Sequence, residues 1–98
     1  MTDFGFDAEL YLWEARLQTW VFADLPEDVA DVIEDVQVGP RRGFGAVKVE
    51  VTLGDTTWRT SIFPSKDRGT YILPVKRAVL DAEGAAPPDK ASLRLRLV

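Results

Sequence analysis

The chain has 98 residues, a formal net charge of −4, 46% hydrophobic and 29% charged residues, and neither cysteine nor histidine. These two absences exclude disulfides, thiolate nucleophiles, zinc-finger and zincin sites, haem and iron–sulfur ligation, and any catalytic triad or dyad built on imidazole. The length suits one domain over residues 1–98, whose core must be well packed because no disulfide or zinc site supports it.

No apolar run approaches the roughly 20 residues of a membrane helix. The opening MTDFGFDAEL holds three acids and no basic segment, unlike a signal peptide. The expectation is a cytoplasmic protein with no membrane partner. Charge is uneven along the chain. Residues 1–35 hold ten acids against Arg16 alone, a balance of −9, and residues 36–98 hold six acids and eleven bases, a balance of +5. Such polarity can steer an anion to one side or pair faces between copies. It is equally the pattern of two solvated halves of one surface.

In chain order, residues 4–12 alternate, with Phe4, Phe6, Ala8, Leu10 and Leu12 on one face, as in a half-buried strand. Residues 13–18 read as a loop and 19–25 as a second strand, forming a hairpin of open register. Pro26 opens a helix over 26–37, with Glu27, Asp28 and Asp31 near its positive end and Val29, Val32, Ile33 and Val36 as its apolar stripe. Its acids read as capping and solvation, not as a metal site.

Residues 46–53 alternate strictly, Gly54-Asp55 makes a two-residue turn, and 56–63 return. This register pairs Val51 with Trp58, Val49 with Thr60, Val47 with Ile62, Glu50 with Arg59 and Lys48 with Ser61. Pro64 ends that strand, and residues 65–69 form a loop. Residues 70–73 are a short strand stopped by Pro74. Residues 75–83 form a second helix with Val75, Ala78, Val79 and Ala82 inward and Gly84 as its C-cap. After a loop stiffened by Pro87-Pro88, residues 91–98 form the last strand, Leu93, Leu95 and Leu97 opposite Arg94 and Arg96. The fold class is mainly β with two short helices, order β-β-α-β-β-β-α-β, a small closed or nearly closed barrel.

Several features are suited to chemistry. In Arg41-Arg42-Gly43-Phe44-Gly45, glycines admit backbone N–H groups and arginines supply forked donors, a combination suited to phosphate or carboxylate. It precedes a strand, so it is no dinucleotide fingerprint. Lys76-Arg77 opens the second helix, where acids are the local choice. Ser61 faces Lys48, without the spacing of a serine–lysine catalytic pair. Trp58 points inward, whereas Trp13 lies opposite the apolar face and is expected to be exposed, a contact surface. Arg94 and Arg96 read as charges on an edge strand.

The segment RRGFGAVKVEVTLGDTTWRTSIFPSKDRGTYILPVKRAVLDAEG, 41–84, resembles the family called domain of unknown function 1905, and WVFADLPEDVADVI, 20–33, is similar to its W-x-F-x-x-L-P-x-x-V pattern. RGFG, TWRTSIFP and Y-x-LPVK follow in order at short intervals. The resemblance implies a double-split β-barrel similar to AbrB- and MazE-type regulators. It implies no activity. Relatives often carry a second module after the barrel, and the sequence ending at Val98 is not expected to include it. Where the family favours a Gly-Asp turn before the last strand, this chain has Pro87-Pro88-Asp89-Lys90.

The functional expectation is a non-enzymatic binding module for a small anion or a protein partner, with no cofactor, metal or catalytic residue. Its candidate ligand residues are Arg41, Arg42, Gly43, Phe44, Gly45, Ser61, Lys76 and Arg77. The alternatives are a nucleic-acid-binding regulator or antitoxin-like dimer, to which the acidic N-terminal third is unfavourable, and a structural or assembly role. A homodimer is compatible with each.

Overall fold

Two long strands organise the chain by each serving two sheets. The computed structural model describes residues 3–15, 18–36 and 45–98. Strand β1 (Asp3–Ala15) pairs through its first half with β6 (Lys90–Leu97), from Asp3↔Arg96 to Glu9↔Lys90. Its second half pairs with β2 (Gln18–Asp24), from Leu10↔Ala23 to Ala15↔Gln18. Strand β4 (Thr56–Ser65) does the same, pairing first with β3 (Val47–Leu53) and then with β5 (Thr70–Pro74). The β2–β5 and β3–β6 ladders close an antiparallel barrel in the order β1-β2-β5-β4-β3-β6. Helix α1 (Glu27–Val36) lies between β2 and β3, and α2 (Arg77–Glu83) between β5 and β6, giving the element order the sequence predicts.

Period-2 alternation fills the interior. Leu10, Val49, Val51, Ile62, Leu73, Leu93 and Leu95 are fully or almost fully buried, and no polar or charged residue is buried among the described residues. The β3–β4 hairpin has the predicted register at every pair, including Val51↔Trp58, Glu50↔Arg59 and Lys48↔Ser61. Gly54 sits at φ +59° in its turn, a conformation that costs glycine little. Trp58 is in the core as expected, with its Nε1 buried and unpartnered.

Several expectations need correction. Residues 13–15 are strand, not loop, so β1 and β2 form a longer hairpin than the pattern implies. Leu12 continues the inward face of β1 in register, yet it is 55% exposed because the hairpin extends past the core. Pro64 does not end β4, which continues to Ser65. Counting from the Leu53↔Thr56 pair beside the turn, even-numbered residues of β4 aim their backbone groups at β3. The missing N–H of Pro64 therefore points where β3 pairing has already stopped at Ile62, and no ladder bond is lost.

The helices are also rotated relative to the predicted stripes. Helix α1 buries Val29, Ala30 and Ile33 and leaves Val32 and Val36 exposed. The short Ala30 side chain lets that edge approach the barrel. Helix α2 starts at Arg77, two residues later than expected, because Val75 is still held by β2 through its N–H to the Val21 carbonyl at 2.9 Å. Its buried side chains are Val79 and Leu80, whereas Ala78 and Ala82 face out. Gly84, at φ +63°, is its C-cap as predicted. Strand β6 is not an edge: it lies between β1 and β3.

The β4–β5 turn is strapped to β1 and β2 by a polar cluster. Tyr11 donates its hydroxyl hydrogen to Asp24 Oδ1 at 2.6 Å, Arg68 donates to Asp24 Oδ2 at 2.8 Å, and the guanidinium stacks 4.3 Å from the Tyr11 ring centroid. Burial, and then the hydrogen bond to Asp24, push the Tyr11 phenol well above its usual range. The folded state thus holds this proton more tightly than the unfolded chain does. Its contribution to stability is complete below about pH 10, the value of a free phenol, and is lost as pH rises further. Urea titrations at neutral and alkaline pH should show wild type losing stability above about pH 10 more steeply than Tyr11→Phe. Equal slopes would mean that the phenol does not carry this dependence.

Candidate functional site

The site arises where β5 leaves β2. Phe22↔Pro74 is the last β2–β5 pair, and the Val75 N–H to Val21 carbonyl bond follows it. The chain then turns away into α2. The three residues Gln18, Thr19 and Trp20 extend past this point with no strand on that side among the described residues. A cleft of about 720 Å³ opens between this free stretch of β2, α2 and the segment after it. Leu12, Trp20, Val21, Val75, Leu80 and Pro87 form its apolar lining. Lys76, Arg77 and Asp81 supply its charges, and Thr60 reaches it from β4. The volume falls within the roughly 300–1,000 Å³ typical of small-molecule sites.

The loop before β6 is held as a wall by Asp89. Its Oδ2 accepts from the Ala86 N–H at 2.9 Å, its own N–H donates to the Ala86 carbonyl at 2.8 Å, and its carbonyl accepts from the Leu10 N–H at 2.9 Å. The Pro87-Pro88-Asp89 sequence therefore forms an anchored loop with Pro87 against the cleft.

The two cations differ. Lys76 is exposed and has no side-chain partner among the described residues; it caps α2 in an extended conformation without a capping bond. Arg77 lies 3.7 Å from Asp81, both side chains being largely exposed, a pair worth little in water. Positive charge at the cleft mouth is thus available to a ligand.

Other predicted positions lie apart. Ser61 pairs with Lys48 on the outer face of the barrel, and its neighbour Thr60, on the opposite face, is the β4 residue that reaches the cleft. The structure does not bring Ser61 to Lys76 and Arg77. Gly45 precedes β3 at φ +79°. Arg41, Arg42, Gly43 and Phe44 lie outside the described residues. Among the described residues, no group of three or more Asp and Glu is placed to hold a metal ion.

The charge polarity of the sequence is not a polarity of this part of the surface. Asp3 stands across from Arg96 and Glu9 across from Lys90, while Asp7 accepts from the Ser92 hydroxyl at 2.7 Å. Glu50 receives Arg96 at 2.7 Å and Arg59 at 3.4 Å. The hydrogen bond from Arg96 is the main reason its carboxyl lies below the usual carboxylate range. Acids of the first third and bases of the last strand thus share one face. No helix among the described residues is long and apolar enough to cross a membrane.

Trp13 and Trp20 are cross-strand neighbours, 53% and 43% exposed, and both pack on Phe22, with ring centroids 5.7 Å and 6.2 Å away. The family model for a domain of unknown function, DUF1905, matches residues 6–95, from β1 into β6 and including every element around the cleft.

The chain belongs to that family.

The family description assigns no activity. None of the curated proteins matches the chain. Sequence reasoning had reached Lys76 and Arg77 but missed Leu12, Trp20, Val21 and Leu80 as cleft walls. Their signal was present in part: Leu80 follows Lys76 by one helical turn, so both stand on one side of α2.

Proposed function

We propose that this chain is a cytoplasmic binding module whose ligand is an organic anion with an apolar body, held in the α2–hairpin cleft. The supporting observation is the pairing of an apolar cleft with two cations, one of them without a side-chain partner, at its mouth. Leu12, Trp20, Val21 and Leu80 would cover the apolar part, and Lys76 and Arg77 would meet a carboxylate. Binding is favoured over catalysis because the cleft residues include no nucleophile paired with a base. A nucleic acid is less favoured: the bases of β6 are interleaved with acids of β1, and the net charge is −4.

Thermal-shift measurements with octanoate, 3-phenylpropanoate and their neutral amides test this reading. At 100 times its dissociation constant a carboxylate adds about 2.7 kcal/mol, several degrees for a domain of this size. The acids should stabilise wild type more than the amides do. Lys76→Ala/Arg77→Ala should remove the difference and keep its own melting temperature close to wild type, because both side chains are exposed. Equal shifts for acids and amides, or an unchanged difference in the double variant, would remove the cations from the site.

A further inference from the structure

We infer that the natural occupant of this cleft is an extended peptide, which adds as a strand to the free edge of β2 and sets a carboxylate against Lys76 and Arg77. This rests on the cleft being an anion site, and it names the class of anion.

Ladder parity carries the inference. The Val75 N–H bonds the Val21 carbonyl, so Val21 aims its backbone groups away from β1 and towards the cleft. Alternate residues of a strand do the same, so Thr19 also aims its N–H and carbonyl there. The Val21 carbonyl is taken by Val75, but no strand among the described residues takes the Thr19 groups, and Gln18, Thr19 and Trp20 all line the cleft. An added strand would lie in the line that β5 vacates at Lys76. Strand addition draws affinity from main-chain hydrogen bonds and specificity from alternate side chains. Here one set of side chains would enter the cleft beside Leu80 and Pro87.

Among the described residues the edge also lacks the usual protections. Free strands are commonly blunted by lysine, proline or a bulge. Gln18, Thr19 and Trp20 carry neither charge nor proline, and the hairpin presents Leu12 on one face and Trp13 and Trp20 on the other. Charge complementarity selects the occupant. Two cations border the free edge, so an acidic peptide is favoured. A second copy pairing through the same edge would bring Gln18, Thr19 and Trp20, none of which is acidic.

The test is selection of peptides from a random-peptide phage library on the whole chain, followed by binding measurements on the enriched peptides. Acidic sequences rich in β-branched residues should emerge. N-methylation of alternate peptide amides should weaken binding roughly tenfold or more, since it removes main-chain bonds and leaves the side chains. Thr19→Pro should do the same by deleting the N–H that faces the cleft, while leaving the β1–β2 ladder whole. On peptide binding, the Thr19 and Val21 amides should become protected from hydrogen exchange. Enriched peptides that tolerate N-methylation at every position and leave both amides unprotected would overturn strand addition. So would the absence of any enriched peptide. If 3-phenylpropanoate still binds in either case, the anion cleft survives and only the peptide assignment falls. A dimer that Thr19→Pro dissociates would instead make a second copy the occupant.

Discussion

Leu10→Ala is expected to destabilise the barrel by about 3 kcal/mol, within the roughly 2–5 kcal/mol seen for large-to-alanine changes in cores. Leu10 is fully buried and sits where β1 passes from β6 to β2. Its N–H holds the Asp89 carbonyl, so the segment between α2 and β6 is tied to the same point. A small domain has about 5–15 kcal/mol in total, and this loss should lower the melting temperature by roughly 10–20 °C. Leu12→Ala is the matched control. It has the same side chain on the same strand and face, but it is 55% exposed. Its expected cost is within about 0.5 kcal/mol, with its effect appearing in ligand affinity. Comparable costs at the two positions, measured by urea unfolding, would contradict the placement of the core boundary between them.

Gly54→Ala should cost about 2–5 kcal/mol, from two sources. At φ +59° an alanine bears the left-handed penalty of about 1–2 kcal/mol. Its Cβ would also clash with Glu83 Oε1, so the carboxylate must move. That carboxylate ties the end of α2 to the β3–β4 turn, accepting from the Thr56 hydroxyl at 2.5 Å and from the Asp55 N–H at 3.3 Å. The flexible side chain can swing away, so the clash is relieved at the expense of those bonds, worth about 1–3 kcal/mol together. The two costs separate in a double-mutant cycle. Glu83→Ala alone should lose the bonds, and Gly54→Ala in that background should then cost only the backbone penalty. Strict additivity of the two substitutions would show that the carboxylate does not couple to the turn.

What was legible in the sequence follows from physics that is local. The β3–β4 register was readable pair by pair because a two-residue turn fixes it and alternation on both strands agrees with it. Exposure of Trp13 was readable from the alternation of residues 4–12, which puts it opposite the apolar face. Closure of the barrel was not local, and with it the status of β6. Only the pairing of β6 with both β1 and β3 shows that Arg94 and Arg96 guard no edge and that Arg96 serves Glu50. Pro64 misled because proline is a stop signal in general, whereas the ladder parity that makes it harmless depends on where β3 begins. The helix stripes missed because periodicity gives an apolar arc and not its centre. Ala30 and Leu80 were chosen by the neighbours each helix meets.

The candidate site was half legible. Lys76-Arg77 stood out as cations at the start of a helix, where acids are the local choice. The apolar walls did not, since Leu12, Trp20 and Leu80 meet only after β5 departs from β2. Ser61 stands beside the cations among the candidate ligand residues by its residue type alone. The pleat decides otherwise, sending Thr60 to the cleft and Ser61 to the far face.

The most direct test of the binding account is an amide and side-chain NMR map of the isotope-labelled chain titrated with 3-phenylpropanoate. The account predicts saturable shifts at the Trp20 indole, Val21, Lys76 and Leu80, and none at Glu50, Arg94 or Arg96 on the other face. Shifts confined to that charged face, or no saturable shift anywhere, would contradict it.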